Sequence, residues 1–158
     1  MLALALFLSW AGGVHAQVDV TERVRRNTAL DKQISDFCTS YCQGNGREGH
    51  LTAVTVKPLG NDRYRGAMTA ELRNRQDAGE PFNVTLYDWI VKVHTEVLLD
   101  ANTCIAMVDS VTVENDIYDI FSGILDEQKG RKYQISNCKR LLPPPSPSRP
   151  PAQPGKRR

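Results

Sequence analysis

The longest regular pattern in the chain runs from Phe82 to Leu99, FNVTLYDWIVKVHTEVLL. Trp89, Val91, Val93, Thr95 and Val97 fall on one parity, and Lys92, His94 and Glu96 fall on the other. Such alternation turns one face of a strand to the core and the other to water. The phase then slips within the same stretch. Phe82, Val84 and Leu86 are the apolar positions early on, whereas Trp89, Val91 and Val93 take over later. A β-bulge near Tyr87-Asp88 absorbs such a slip and sharpens the bend of the sheet.

The preceding sequence changes period. Leu30, Ile34, Phe37, Cys38, Tyr41 and Cys42 recur at spacings of three and four, with Gly44 just beyond as a stop. Asp19 with Glu22, and Thr28 with Asp31, both offer a helix start, so the pattern predicts a helix from residue 20 or 28 to 43. Strand periodicity resumes over Leu51–Lys57, which Pro58 ends, and again from Tyr64 to Leu72, whose other face carries Arg63, Arg65, Glu71 and Arg73. After the long strand, Asp100-Ala101-Asn102 predicts a turn into a strand over Cys104–Val113. Ile117–Leu125 and Lys132–Cys138 complete the pattern as a last hairpin. The fold class expected is α+β, with one N-terminal helix packed on a curved antiparallel meander sheet of about six strands.

The two ends differ from this middle. MLALALFLSWAGGVHA has an apolar run from Leu2 to Trp10 and a small-x-small end at Val14-His15-Ala16, which predicts a signal peptide over 1–16. From Pro143 the chain reads PPPSPSRPPAQPGKRR and holds seven of the nine prolines. Having no large apolar residue, it is expected to be a disordered, proline-rich basic tail over 143–158. The domain proper is then 17–142.

Charge and cysteine content narrow the class. The formal net charge is +2, of which the tail carries +4 through Arg149, Lys156, Arg157 and Arg158, leaving the domain near −2. That balance lacks the basic footprint of a nucleic-acid binder. Cys38, Cys42, Cys104 and Cys138 in an exported chain predict two disulfides. Cysteines one turn apart on a helix stripe most economically reach two strands, so bonds to Cys104 and Cys138 are expected, in either order. A Cys38–Cys42 bond is the awkward alternative.

Motifs for chemistry are sparse. Signatures of serine hydrolases, phosphate loops and dinucleotide sites are absent, and Cys38-x-x-x-Cys42 lacks zinc-ligand spacing, so neither a metal nor a cofactor is expected. His94, flanked by Lys92 and Glu96 on the polar parity, reads as a member of a cross-strand ion pair. Asn83-Val84-Thr85 is an N-glycosylation sequon on the solvent parity, which marks Asn83 as the expected sugar site.

DRYRGAMTAEL, EPFNVTLYDWIVKVHTEVLL and the closing FSGILDEQKGRKYQISNC, behind an N-terminal helix, resemble two folds. One is the cystatin fold and the other is the cone-shaped fold of nuclear transport factor two and its secreted relatives. The chain lacks the Q-x-V-x-G loop with which cystatins inhibit proteases. The resemblance covers roughly residues 28 to 138 and implies a groove or cone between helix and sheet. Phe37, Tyr41, Met68, Trp89 and Phe121 are the large apolar residues expected to line it. The function expected is that of a secreted, non-enzymatic domain that binds a small apolar ligand or an extracellular protein. An extracellular enzyme of the cone type, or a precursor with a processed tail, is the alternative.

Overall fold

A computed structural model of the chain describes residues 16–144. The predicted signal peptide and tail therefore lie outside the described residues, apart from Ala16, Pro143 and Pro144. The elements are β1 (Val18–Asp19), α1 (Thr21–Asn27), α2 (Leu30–Tyr41), β2 (Glu48–Gly60), β3 (Arg63–Ala78), β4 (Val84–Asp100), β5 (Ile105–Glu114), α3 (Ile120–Asp126), β6 (Lys132–Gln134) and α4 (Cys138–Leu141). The six strands form one open antiparallel sheet in chain order, so the α+β meander is present.

β3 and β4 carry the sheet, paired from Arg63↔Asp100 to Ala78↔Val84. The slip in β4 is a real bulge. Gln76 pairs with Tyr87 and Asp77 with Thr85, which leaves Leu86 as the extra residue, one position before Tyr87. A second shift, between Glu96 and Val97, leaves Asp109 of β5 unmatched. Downstream of the first bulge, Val91, Val93 and Leu99 are buried on one face as the parity requires.

Four short helices replace the single one expected. The break falls at Thr28, whose backbone is extended. Its hydroxyl donates to the Val24 carbonyl (2.7 Å) and accepts the Leu30 N–H (3.3 Å), ending α1 and starting α2 with one side chain. Both helices begin near the expected starts, but their N-cap residues are Val20 and Ala29, without side-chain caps, and neither capping box forms. Asp19 serves α1 by accepting the Thr21 N–H at 2.8 Å, while Asp31 reaches across to accept the Leu51 N–H at 2.7 Å.

The expected strand over Ile117–Leu125 is instead the turn and helix of α3. The Asp116 carboxylate accepts the backbone N–H groups of Ile120, Phe121 and Ser122 at 3.0, 2.8 and 2.7 Å. Free N–H groups at a helix start need such an acceptor, and it outweighs the strand propensity of the isoleucines. Of Lys132–Cys138 only Lys132–Gln134 is strand, and α4 begins at Cys138. The sixth strand is the short β1, which pairs Val18 with Val56 and Asp19 with Thr55.

The disulfides also differ from the expected helix-to-strand bonds. They join Cys38 to Cys42 and Cys104 to Cys138. In a continuous helix Cα atoms four apart lie about 6 Å from each other. Here α2 ends at Tyr41 and Cys42 is extended (ψ 154°), which brings the two Cα atoms to 4.8 Å. The awkwardness of an intrahelical bond disappears because the second cysteine has already left the helix.

α2 is seated on β2 at Gly49, where a Cβ would stand 2.6 Å from the Ile34 carbonyl oxygen. Only a residue without a side chain allows that approach. The outer edge of β2 is closed by the same N-terminal segment: Val20 N–H donates to the Val54 carbonyl (2.8 Å), the Thr21 hydroxyl accepts the Val54 N–H (2.8 Å), and Arg25 donates to the Leu51 carbonyl.

Because the Cys104–Cys138 bond spans 34 positions and the Cys38–Cys42 bond only four, removing them should cost unequally. The chain-entropy relation gives about 3.8 kcal/mol for the long loop and about 1.9 kcal/mol for the short one. Urea unfolding of the paired alanine variants should therefore show Cys104→Ala/Cys138→Ala as the less stable. Equal losses, or the reverse order, would contradict this view of what each bond restrains.

Candidate functional site

The buried apolar residues form two clusters where a domain of this size ordinarily builds one contiguous core. One gathers Val20, Val24, Leu51, Val54, Tyr64, Leu99, Leu141 and Leu142 around α1 and α4. The other gathers Cys38, Cys42, Leu72, Val91, Val93 and Phe121 around the end of α2 and α3. Phe37 of α2 meets Phe121 of α3 with ring centroids 6.1 Å apart.

The sheet face is hollow beside the first cluster and on toward the second. A cavity of about 540 Å³ is floored by Val54, Val56, Met68, Val97, Leu99 and Val108 and walled by Val24, Leu30, Ile135 and Leu142. A second space of about 320 Å³ extends it toward Ile34, Phe37, Leu72, Val93 and Ile124. The two share Leu30, Gln33, Met68, Thr95, Leu125 and Gln128. Each lies within the range of about 300–1,000 Å³ typical of small-molecule sites. Gly66 contributes bare floor, since a Cβ there would stand 2.8 Å from Val97 Cγ2.

The lining is uncharged. No Asp, Glu, Lys, Arg or His borders either space among the described residues. Polar groups are few: the Tyr133 hydroxyl donates to Gln128 Oε1, and Gln134 Nε2 donates to the Thr103 carbonyl at 3.0 Å. Thr95 is the polar residue on the inner face of β4, between Val93 and Val97. Gln33 is solvent-exposed and so stands at the rim.

Of the residues expected to line a cavity, the structure brings Phe37 and Met68 to it. Phe121 is fully buried beside Phe37 and belongs to the core at one end. Tyr41 is 45% exposed and stacks on the solvent side of Phe37, with ring centroids 4.7 Å apart. Trp89 lies farther along β4, stacked with Tyr87 (4.7 Å) and edge-on to Tyr118 (5.9 Å). Past the last β5 partner of β4, Lys92, Val91 and Trp89 still pack against the α2–α3 cluster, and Phe82, Val84 and Leu86 stay exposed. Leu30, Thr95, Val97 and Leu125 were missed. Thr95 was legible as a break in a valine run, but Leu125 was hidden by reading α3 as a strand.

The opposite face is an ion-pair surface. Arg73 grips Asp88 through Nε (2.9 Å) and Nη2 (2.5 Å), Lys92 meets Glu71 at 3.6 Å, and Arg65 meets Glu96 at 4.0 Å. His94 lies there too, its Nδ1 3.1 Å from the Thr69 hydroxyl and its Nε2 3.5 Å from Glu114. The sheet separates it from the hollow. Asn83 is exposed in the β3–β4 turn with a left-handed backbone (φ 42°), its Nδ2 donating to Glu80 at 3.1 Å, while the Thr85 hydroxyl donates to Asp77 at 2.8 Å. No protein-family model matches the chain, and comparison with curated proteins and with solved structures gives no match.

The hydrogen bonds and charge of Arg73 hold the Asp88 carboxyl below its ordinary value of 3.8, and the Thr85 hydroxyl followed by Arg75 does the same for Asp77. A lowered folded-state value means stabilisation that is complete above 3.8 and is lost as the pH falls through the folded value. Unfolding midpoints should therefore drop on acidification below about pH 4, and Asp88→Asn should flatten that drop while starting from a lower neutral-pH midpoint. An unchanged acid profile in Asp88→Asn would show that the pair adds nothing.

Proposed function

We propose that this is a secreted binding domain whose hollow holds a small apolar molecule. The observation that carries the reading is the uncharged space of about 540 Å³ lined by the first apolar cluster, which continues toward the second. Filling that space with side chains would have gained dispersion contacts and apolar burial; leaving it open forfeits them. A ligand that occupies the space restores those contacts. The two disulfides suit an oxidising compartment, which agrees with export through the predicted signal peptide. Binding is favoured over catalysis because, among the described residues, no carboxylate, imidazole or ammonium group borders the hollow to move a proton. The register shifts in the sheet and its helix cover support the cone-shaped reading, and the exposure of Asn83 supports its use as a sugar site.

A second reading, an extracellular protein as partner, rests on the exposed apolar end of the β3–β4 hairpin at Phe82, Val84 and Leu86, with exposed Tyr118 of the β5–α3 loop against Trp89 of β4.

Val97→Phe puts a ring into the larger space. Fluorescence titration with the neutral probe N-phenyl-1-naphthylamine should show saturable binding to the native protein. The variant should weaken it by about tenfold or more, a 1.4 kcal/mol effect, without loss of thermal stability. Native mass spectrometry of the secreted protein should show an excess mass that leaves on denaturation. Absence of probe binding together with a bare mass would overturn the reading.

A further inference from the structure

We infer that the hollow selects a neutral amphiphile, a chain of roughly ten to fourteen carbons ending in a hydroxyl or carbonyl group, and rejects carboxylates and ammonium ions. This rests on the binding role proposed above and adds the chemical class of the ligand.

Charge on the lining decides the class. A carboxylate moved into an apolar space without a cationic partner loses several kcal/mol of hydration, and an ammonium ion without an anionic partner loses as much. The lining supplies neither partner. Of the α1 arginines, Arg23 donates to the Leu142 carbonyl, Arg25 donates to the Leu51 carbonyl, and Arg26 borders neither space. The strong ion pairs of the protein stand on the other face of the sheet, led by Arg73–Asp88.

The hydrogen-bonding groups decide the head. Among the described residues, the Thr95 hydroxyl borders both spaces from the inner face of β4 and makes no hydrogen bond to protein. It can both donate and accept, so it satisfies a hydroxyl or a carbonyl head and supplies no counter-charge for an ion. Volume decides the length. At roughly 30 Å³ for a water-sized group, a space of about 540 Å³ admits a chain of about that size with room for its head.

The experiment is displacement of N-phenyl-1-naphthylamine from the full domain at pH 7.5 by 1-decanol, decanoate and decylammonium. These share a chain and differ only in head charge. Decanol should displace the probe at a concentration about tenfold or more below either ion. Thr95→Val keeps the shape of the side chain and removes its hydroxyl; it should weaken decanol by about fivefold and leave the probe unchanged. Decanoate or decylammonium matching decanol, with the probe bound normally, would overturn the neutral-head inference and leave the hollow as a binding site. Equal decanol binding by Thr95→Val would remove Thr95 from the head site. Failure of the probe itself to bind would overturn both readings together.

Discussion

The structure depends on a mismatch of lengths. β4 has 17 residues, and at about 3.4 Å per residue it spans roughly 58 Å. α2, the longest helix, has 12 residues and covers about 18 Å. No arrangement of four short helices can cover one whole face of a sheet that long. The uncovered apolar length must be left as cavity, exposed to water, or shared with another molecule.

The protein divides that burden. One set of helices, α1 and α4, closes the end of the sheet near Leu99, and the α2–α3 contact at Phe37–Phe121 closes a zone around Val91 and Val93. Gly49 allows α2 to descend onto β2, and Asp31 ties it there. The Cys104–Cys138 bond holds α4 against the β4–β5 turn. These supports fix the helices at two places and leave the middle of the face open between Gln33 and Gln128. Beyond Lys92 the strand has no β5 partner; Val91 and Trp89 still pack against the α2–α3 cluster, and Val84 and Leu86 past them stay exposed.

What was legible in the sequence follows the same division. Residues whose neighbours along the chain determine their environment could be read. The parity of Val91, Val93 and Val97, the slip before Tyr87 and the helix starts at Asp19 and Thr28 all belong to this group. Residues whose role is set by distant groups could not. Asp116 turns Ile117–Leu125 from an apparent strand into α3 through three backbone hydrogen bonds, and the apolar pattern of that segment fits either state. The disulfide pairing turned on where α2 stops, a single residue before Cys42. For the site, Met68 on the inner parity of β3 and Phe37 on the apolar stripe of α2 both border the hollow. Trp89, on that same parity, packs instead against the cluster of Val91 and Phe121 and borders neither space. Parity gives the face of a sheet but not the position along it that a helix will cover.

The two faces of the sheet have opposite chemistry, ion pairs outside and an uncharged hollow inside, and that separation makes a binding role for the inner face physically coherent. Two methionines report on it directly. Met68 lines the hollow, whereas Met107 pairs with Leu98 on the opposite face of the sheet. The decisive measurement is a titration of protein labelled with 13C at the methionine methyl groups, using 1-decanol and carbon–proton correlation spectra. The Met68 methyl resonance should move in a saturable manner while that of Met107 stays in place. A stationary Met68, or equal movement of both methyl groups, would contradict a ligand-binding hollow on the helix-covered face.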